Sequence, residues 1–124
     1  KEAEAAARQK AQAEADLQRE LGVEEARTKA RQSGLEDQYV NLLENRIEQN
    51  WIRPPSAQKG LDCWVNVTQI PSGEVISVSV EQCNGDDAVV QSIERAVRRA
   101  SPLPLPPVEA LFERNLRFEF KPDQ

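Results

Sequence analysis

The chain has no histidine and no methionine, and its aromatic residues are two tryptophans, three phenylalanines and one tyrosine. Without histidine there is no Ser–His or Cys–His nucleophile pair, and the commonest zinc ligand is missing. Asp86, Asp87 and Glu119 are carboxylates that helix capping and surface solvation explain, so no nucleophile–base set remains, and neither an enzyme nor a cofactor is expected. No run of eighteen apolar residues and no signal peptide occurs. The net charge of −5 argues against a nucleic-acid surface. At 124 residues the chain accommodates one domain, or one domain with an appendage. It starts inside a charged repeat, so the expectation is a piece of a longer protein whose membrane or targeting segments lie upstream.

What is present divides in two. Residues 1–33 hold no aromatic residue, and their seven positive and seven negative side chains cancel, so the net charge belongs to residues 34–124. Ala, Glu, Gln, Lys and Arg are strong helix formers. A continuous helix of this length extends about 50 Å and buries little of itself. The expectation is the end of a helical stalk, the alternative a charged tail or a fraying helix. Leu17, Leu21 and Val23 are too few for a coiled-coil seam, and Gly22 weakens the middle. Ser33-Gly34 marks a break.

Residues 34–124 are expected to form an α+β domain. Leu35, Tyr39, Leu42, Leu43 and Ile47 repeat as one buried helix face, continued by Trp51 and stopped by Arg53-Pro54-Pro55. Leu61 to Val80 reads as a β-hairpin turning at Pro71-Ser72-Gly73-Glu74. Leu61, Cys63, Val65 and Val67 then share a face with Ile76, Val78 and Val80. The register that keeps them together sets Val67 opposite Val78, Val65 opposite Val80 and Ile70 opposite Val75. Cys63 falls opposite Gln82, one residue short of Cys83. A Cys63–Cys83 disulfide is expected, with Cys83 bending or bulging to meet its partner, and it implies an oxidising compartment. The alternative is two reduced cysteines.

Asn84 or Asp86 caps a second amphipathic helix of the domain, with Ala88, Val89, Ile93, Ala96, Val97 and Ala100 inward. Arg95, Arg98 and Arg99 face outward, as its C-terminal dipole favours. Ser101 to Pro107 is expected to be an extended strap whose Leu103 and Leu105 cover the core, rather than a ligand for a proline-binding domain. A short helical turn at Val108 to Arg114 follows. Asn115 to Phe120 is the last strand, with Leu116, Phe118 and Phe120 inward and Arg117 and Glu119 outward. The smallest layered solution is a three-stranded antiparallel sheet, order second–first–third, with helices on one face. Both outer strands are then edges. The third carries Arg117, Glu119 and Lys121, which blunt it, yet it remains a place where a partner's strand can add. Asn115, Leu116, Arg117, Phe118, Glu119 and Phe120 are therefore the candidate partner-binding edge. Trp64 joins them as a contact residue, or else packs beneath the first helix.

Leu61 to Pro122 resembles the C-terminal periplasmic domain of TolA. The likeness rests on Cys63 opening the first strand, Pro71-Ser72-Gly73, Gly85-Asp86 and the Ala96 to Ala100 helix end. It continues through Leu103-Pro104-Leu105-Pro106-Pro107, Asn115-Leu116 and Phe118 to Pro122. Residues 1–33 resemble the end of that family's stalk. The second cysteine departs from the enterobacterial pattern, in which it lies inside the helix. The resemblance implies a TonB-like fold and an inner-membrane anchor upstream. It implies partners TolB and Pal at the outer membrane, and TolQ and TolR, which use the proton gradient. It further implies a role in outer-membrane integrity and envelope constriction at division, and capture by group A colicins and the minor coat protein of filamentous phages. A TonB-like energy transducer for outer-membrane transporters is the rival, although the Pro- and Lys-rich linker of that family is missing. A cystatin-like secreted inhibitor is the rival from another class.

Overall fold

A computed structural model describes residues 2–123. Helix α1 spans Glu2–Gln32 and α2 Leu35–Gln49; strands β1 and β2 span Cys63–Gln69 and Val75–Glu81; α3 spans Asp87–Ala100; a 3-10 turn, Glu109–Leu111, precedes β3, Asn115–Phe120. The sheet is antiparallel in the order β2-β1-β3, as the alternation of residues requires. Cys63, Val65 and Val67 are fully buried, as are Val89, Ile93, Ala96 and Val97 of α3 and Leu43 and Ile47 of α2. One face of the sheet therefore carries the helices and the other is open, an α+β arrangement with a single core.

α1 and α2 are separated by the turn at Ser33-Gly34. The Gly34 N–H donates to the Arg31 carbonyl at 3.1 Å, and Gly34 takes φ +80°, the left-handed backbone in which glycine ends helices. Within α1 the buried residue is Ala30; Leu17, Leu21 and Val23 are exposed. α2 then lays Tyr39, Leu43 and Ile47 on the sheet, but Leu42 stays half exposed at 49%. The helix ends at Gln49, before the prolines, and Trp51 lies beyond it. Trp51 still joins the core: its ring meets Phe120 edge-on at 5.2 Å and its indole N–H donates to Ser92 Oγ at 2.9 Å.

The hairpin keeps Val65 opposite Val80 and Val67 opposite Val78, then departs from expectation at its tip. Gln69, not Ile70, lies opposite Val75, because Ile76 is an extra residue in β2. A bulge of this kind turns its residue off the face, and Ile76 is 51% exposed instead of in the core. The turn closes with the Gly73 N–H donating to the Ile70 carbonyl at 2.8 Å, Gly73 at φ +89°. A side chain on Gly73 would collide with the Leu103 carbonyl of the strap, and the Leu103 N–H donates to the Gly73 carbonyl at 2.8 Å. The strap therefore seals the hairpin tip through Leu103, while Leu105 is 55% exposed and covers nothing.

At the other end of β2 the disulfide Cys63–Cys83 closes the hairpin. Gln82 takes φ +48°, which breaks the pleat and turns Cys83 back toward the face of Cys63. Asp86 caps α3 by accepting from the Val89 N–H at 3.0 Å; Ala88, on the first turn, is exposed.

Candidate partner-binding edges

Both outer strands present an edge, and the two differ. β2 carries exposed Ser77, Ser79 and Glu81, and its first residue is already engaged: the Val75 N–H donates to Ser101 Oγ at 3.0 Å. β3 pairs with β1 along its length, Cys63 with Phe120 through Thr68 with Asn115. Its other side borders a groove of about 180 Å³ between the strand and the helices. Val40, Leu43, Leu111, Leu116 and Phe118 give the groove its apolar lining, beside Tyr39. Burial raises the pKa of Tyr39, so the ring stays a neutral phenol there.

The expected edge residues are held as a strand but not equivalently. Phe118 and Phe120 are buried in the core, Leu116 is half-buried, and Asn115 and Arg117 are exposed. Glu119 pairs with Lys121 at 3.1 Å, which keeps charge on the edge's open face. Side chains of Phe118 and Phe120 are committed to packing, so what they offer a partner is backbone. Trp64 alternates with buried Cys63 and Val65 and lies on the open face. It does not pack beneath a helix. Arg117 stacks over its ring at 4.8 Å and reaches Glu81 at 3.3 Å, tying β3 across β1 to β2.

Three contributors escaped the sequence reading. Gln69, expected to be an ordinary strand residue, is buried; its side-chain amide donates to the Glu113 carbonyl at 2.8 Å and its N–H to the Arg114 carbonyl at 2.8 Å, fixing where β3 begins. Arg27 Nε donates to the Ala110 carbonyl at 2.9 Å and the guanidinium lies 3.8 Å from Glu113, holding α1 against the turn before β3. Arg31 pairs with Glu36 at 2.7 Å across the joint. The spacing of Ala26, Arg27 and Ala30 along one helix face is the signal that marks this docking, and the small alanine side chains along it are why it reads as solvent-exposed. Among the described residues no cluster of His, Cys, Asp or Glu suited to a metal occurs, and no helix is long and apolar enough to cross a membrane.

A short helix-on-sheet domain with a long leading helix and two outer strand edges defines a class, and comparison with known proteins places the chain in it. The profile of the family described as TonB C terminal matches residues 36–120, and the chain belongs to that family. Its likeness within the family is to TolA. The Tol-Pal system protein TolA of Pseudomonas aeruginosa is 34% identical over 90 residues, which is 67% of this chain and 25% of that protein, so the chain spans about a quarter of its relative. The solution structure of the third domain of TolA bound to a peptide derived from the N-terminus of TolB superposes with a TM-score of 0.57 at 32% identity, covering 68% of this chain and 72% of that one. The C-terminal domain of Helicobacter pylori TonB, at 18% identity and a TM-score of 0.51, shares the fold over 66% of this chain and 89% of its own.

Proposed function

We propose that the chain is the periplasmic end of a TolA-type protein of a Tol-Pal system, with residues 1–33 as the end of a helical stalk and residues 34–124 as the partner-binding domain. An upstream segment anchors it in the inner membrane beside TolQ and TolR, whose proton-driven motion the stalk carries toward TolB and Pal. In this role it links the two membranes, supports outer-membrane integrity and constriction at division, and is the surface that group A colicins and the filamentous phage minor coat protein exploit. The observation that carries the reading is the joint likeness, in sequence and in fold, to TolA and to its domain bound to a TolB peptide.

Partners dock by strand addition, with β3 as the first receiving edge. Both outer strands are paired on one side only, but β2 is bulged at Ile76 and its Val75 N–H is taken by Ser101, so Asn115 to Phe120 is the more regular edge. Trp64 and Arg117 stand on the adjacent open face as side-chain contacts. A backbone-amide NMR titration of the domain with the N-terminal TolB peptide tests this. Shifts concentrated on Asn115 to Phe120 are expected. Shifts on Val75 to Gln82 would move the site to the other edge, and no shifts at millimolar peptide would overturn strand addition to TolB.

A further inference from the structure

The groove along β3 has two walls, and part of the second comes from outside residues 34–124. One wall is β3 with the turn before it, through Leu111, Glu113, Leu116, Arg117 and Phe118; the other is built by α2 and by the end of α1 through Arg27 and Arg31. A strand laid on β3 presents every second side chain to this groove. The lining between Val40, Leu43 and Leu116 is apolar, and the charges of the α1 wall are already matched, Arg31 by Glu36 and Arg27 by Glu113. The occupant this chemistry fits is an extended segment with apolar side chains at alternating positions.

The α1 wall is weakly held. Ala30 is the buried residue of the helix, and its other anchors are the partly exposed Arg27 contacts and the exposed Arg31–Glu36 pair. Upstream, a groove of about 910 Å³ lies between Arg19, Gly22 and Val23 of α1 and Leu105, Pro106 and Phe112. Gly34, at φ +80° with open space around its α-carbon, gives the helix a joint to turn on. Few buried contacts place such an element at the low-stability end of the molecule, where it opens locally without unfolding the remainder.

We propose that the end of α1 is part of the strand-receiving site, so that binding of an extended apolar segment at β3 and docking of α1 on the domain stabilise each other. This rests on β3 being the receiving edge. A ligand that touches β3 and the docked wall together favours the docked state, and by linkage the docked state favours the ligand to the same degree. Turning α1 away at Gly34 then weakens the site, which makes the leading helix a control on partner release.

The full chain serves for the test, with the N-terminal TolB peptide as probe. Its dissociation constant is measured by amide NMR for the wild type, Arg27→Ala and Ala30→Glu, and hydrogen exchange of the amides of residues 24–31 is followed with and without peptide. The expected result is a loss of affinity of about fivefold or more in both variants, with shifts still on Asn115 to Phe120, and slower exchange of residues 24–31 in the complex. Should Ala30→Glu disturb the sheet amides, Arg27→Ala, at a partly exposed site, carries the comparison. Equal affinities with unchanged α1 exchange would overturn the coupling while leaving strand addition intact. Shifts on β2 would overturn it together with the choice of edge. No binding by the wild type would instead defeat the proposed function itself.

Discussion

α1 and α3 both draw on Ala, Glu, Gln and Arg, and behave as opposites. In 31 residues α1 buries one side chain, Ala30; in 14 residues α3 buries six. The difference is composition and arrangement: α3 adds Val89, Val90, Ile93 and Val97 in 14 residues, where the larger apolar residues of α1 are Leu17, Leu21 and Val23 in 31. In α3 the small and branched residues fall on one face, so Val89, Ile93, Ala96 and Val97 meet the sheet while Arg95, Arg98 and Arg99 stay in water. In α1 apolar residues are scattered around the helix, so backbone propensity forms it and almost nothing outside it holds it in place. A helix formed by propensity can extend and swing, whereas one formed by packing shares the fate of the core.

The sharpest way to separate the two regions is to damage the core. Phe120 is 1% exposed and closes the sheet against Trp51. Phe120→Ala is expected to cost about 3–5 kcal/mol of domain stability. Chemical denaturation followed by tryptophan fluorescence should show a lower midpoint and an unfolding free energy reduced by that amount. The helicity contributed by α1 should not fall with it, and its simultaneous loss would show that α1 depends on the core after all.

Removing the disulfide is the next largest effect. Cys63 and Cys83 are separated by 20 residues, and a loop of that size is worth about 3 kcal/mol in the chain-entropy account. The double replacement Cys63→Ala with Cys83→Ala should lower the denaturation midpoint accordingly, reductant should lower that of the wild type in the same way, and the variant should not respond to reductant. A midpoint that does not move would mean that the left-handed turn at Gln82 and the Asn84 contacts, its Oδ1 accepting from the Asp62 N–H and its side-chain amide donating to the Gly60 carbonyl, already fix the strand's end.

Gly22→Ala probes the other side of the comparison. A side chain at Gly22 meets nothing within 4 Å, so the change acts on α1 alone. It is expected to add about 0.8–1.0 kcal/mol of helix propensity. Far-UV circular dichroism should report more helix on mild heating, with no shift in the domain's own unfolding. A matching rise in domain stability would reveal stronger coupling through Arg27 and Ala30 than the shallow docking provides.

These contrasts follow how much each region shows in sequence. Period-two alternation at Cys63 to Val67 and at Leu116 to Phe120 is legible because one wet face demands it, and it carries the strand order and the register of Val65 and Val67. The tip was not legible: the insertion of Ile76 is decided by the strap, whose Leu103 reaches the Gly73 carbonyl from thirty residues away in sequence. Leu105 looked equivalent to Leu103, and only the path of the strap distinguishes the buried one. The candidate edge at β3 was visible as a strand, but its second wall was not. Arg27 and Ala30 look like stalk until the turn at Glu109–Leu111 is placed against them.

The smallest effects are electrostatic, and they differ in sign within the domain. Hydrogen bonds from the Val89 N–H and from Ser56 lower the pKa of Asp86, and Arg53 does the same for Asp123. A carboxylate lowered in the folded state stabilises it above the ordinary aspartate range, and that contribution disappears as pH falls through the lowered value. Glu44 is the reverse. Desolvation, then the nearby Glu119 and Glu48, raise its pKa, so the folded state loses stability as pH rises through the ordinary glutamate range toward the raised value. Glu44→Gln should therefore raise the neutral-pH midpoint slightly and change little in acid. Asp86→Asn, which keeps a capping oxygen, should lower the neutral-pH midpoint and flatten the acid limb. Among the described residues the α1 carboxylates Asp16 and Glu25 pair with their helix neighbours Arg19 and Lys29, so neither variant should alter the pH dependence of α1 helicity. Melting curves across the acid range, read separately for tryptophan and for helix, distinguish these outcomes. Identical pH profiles from the two signals would mean that the leading helix and the domain unfold as one unit.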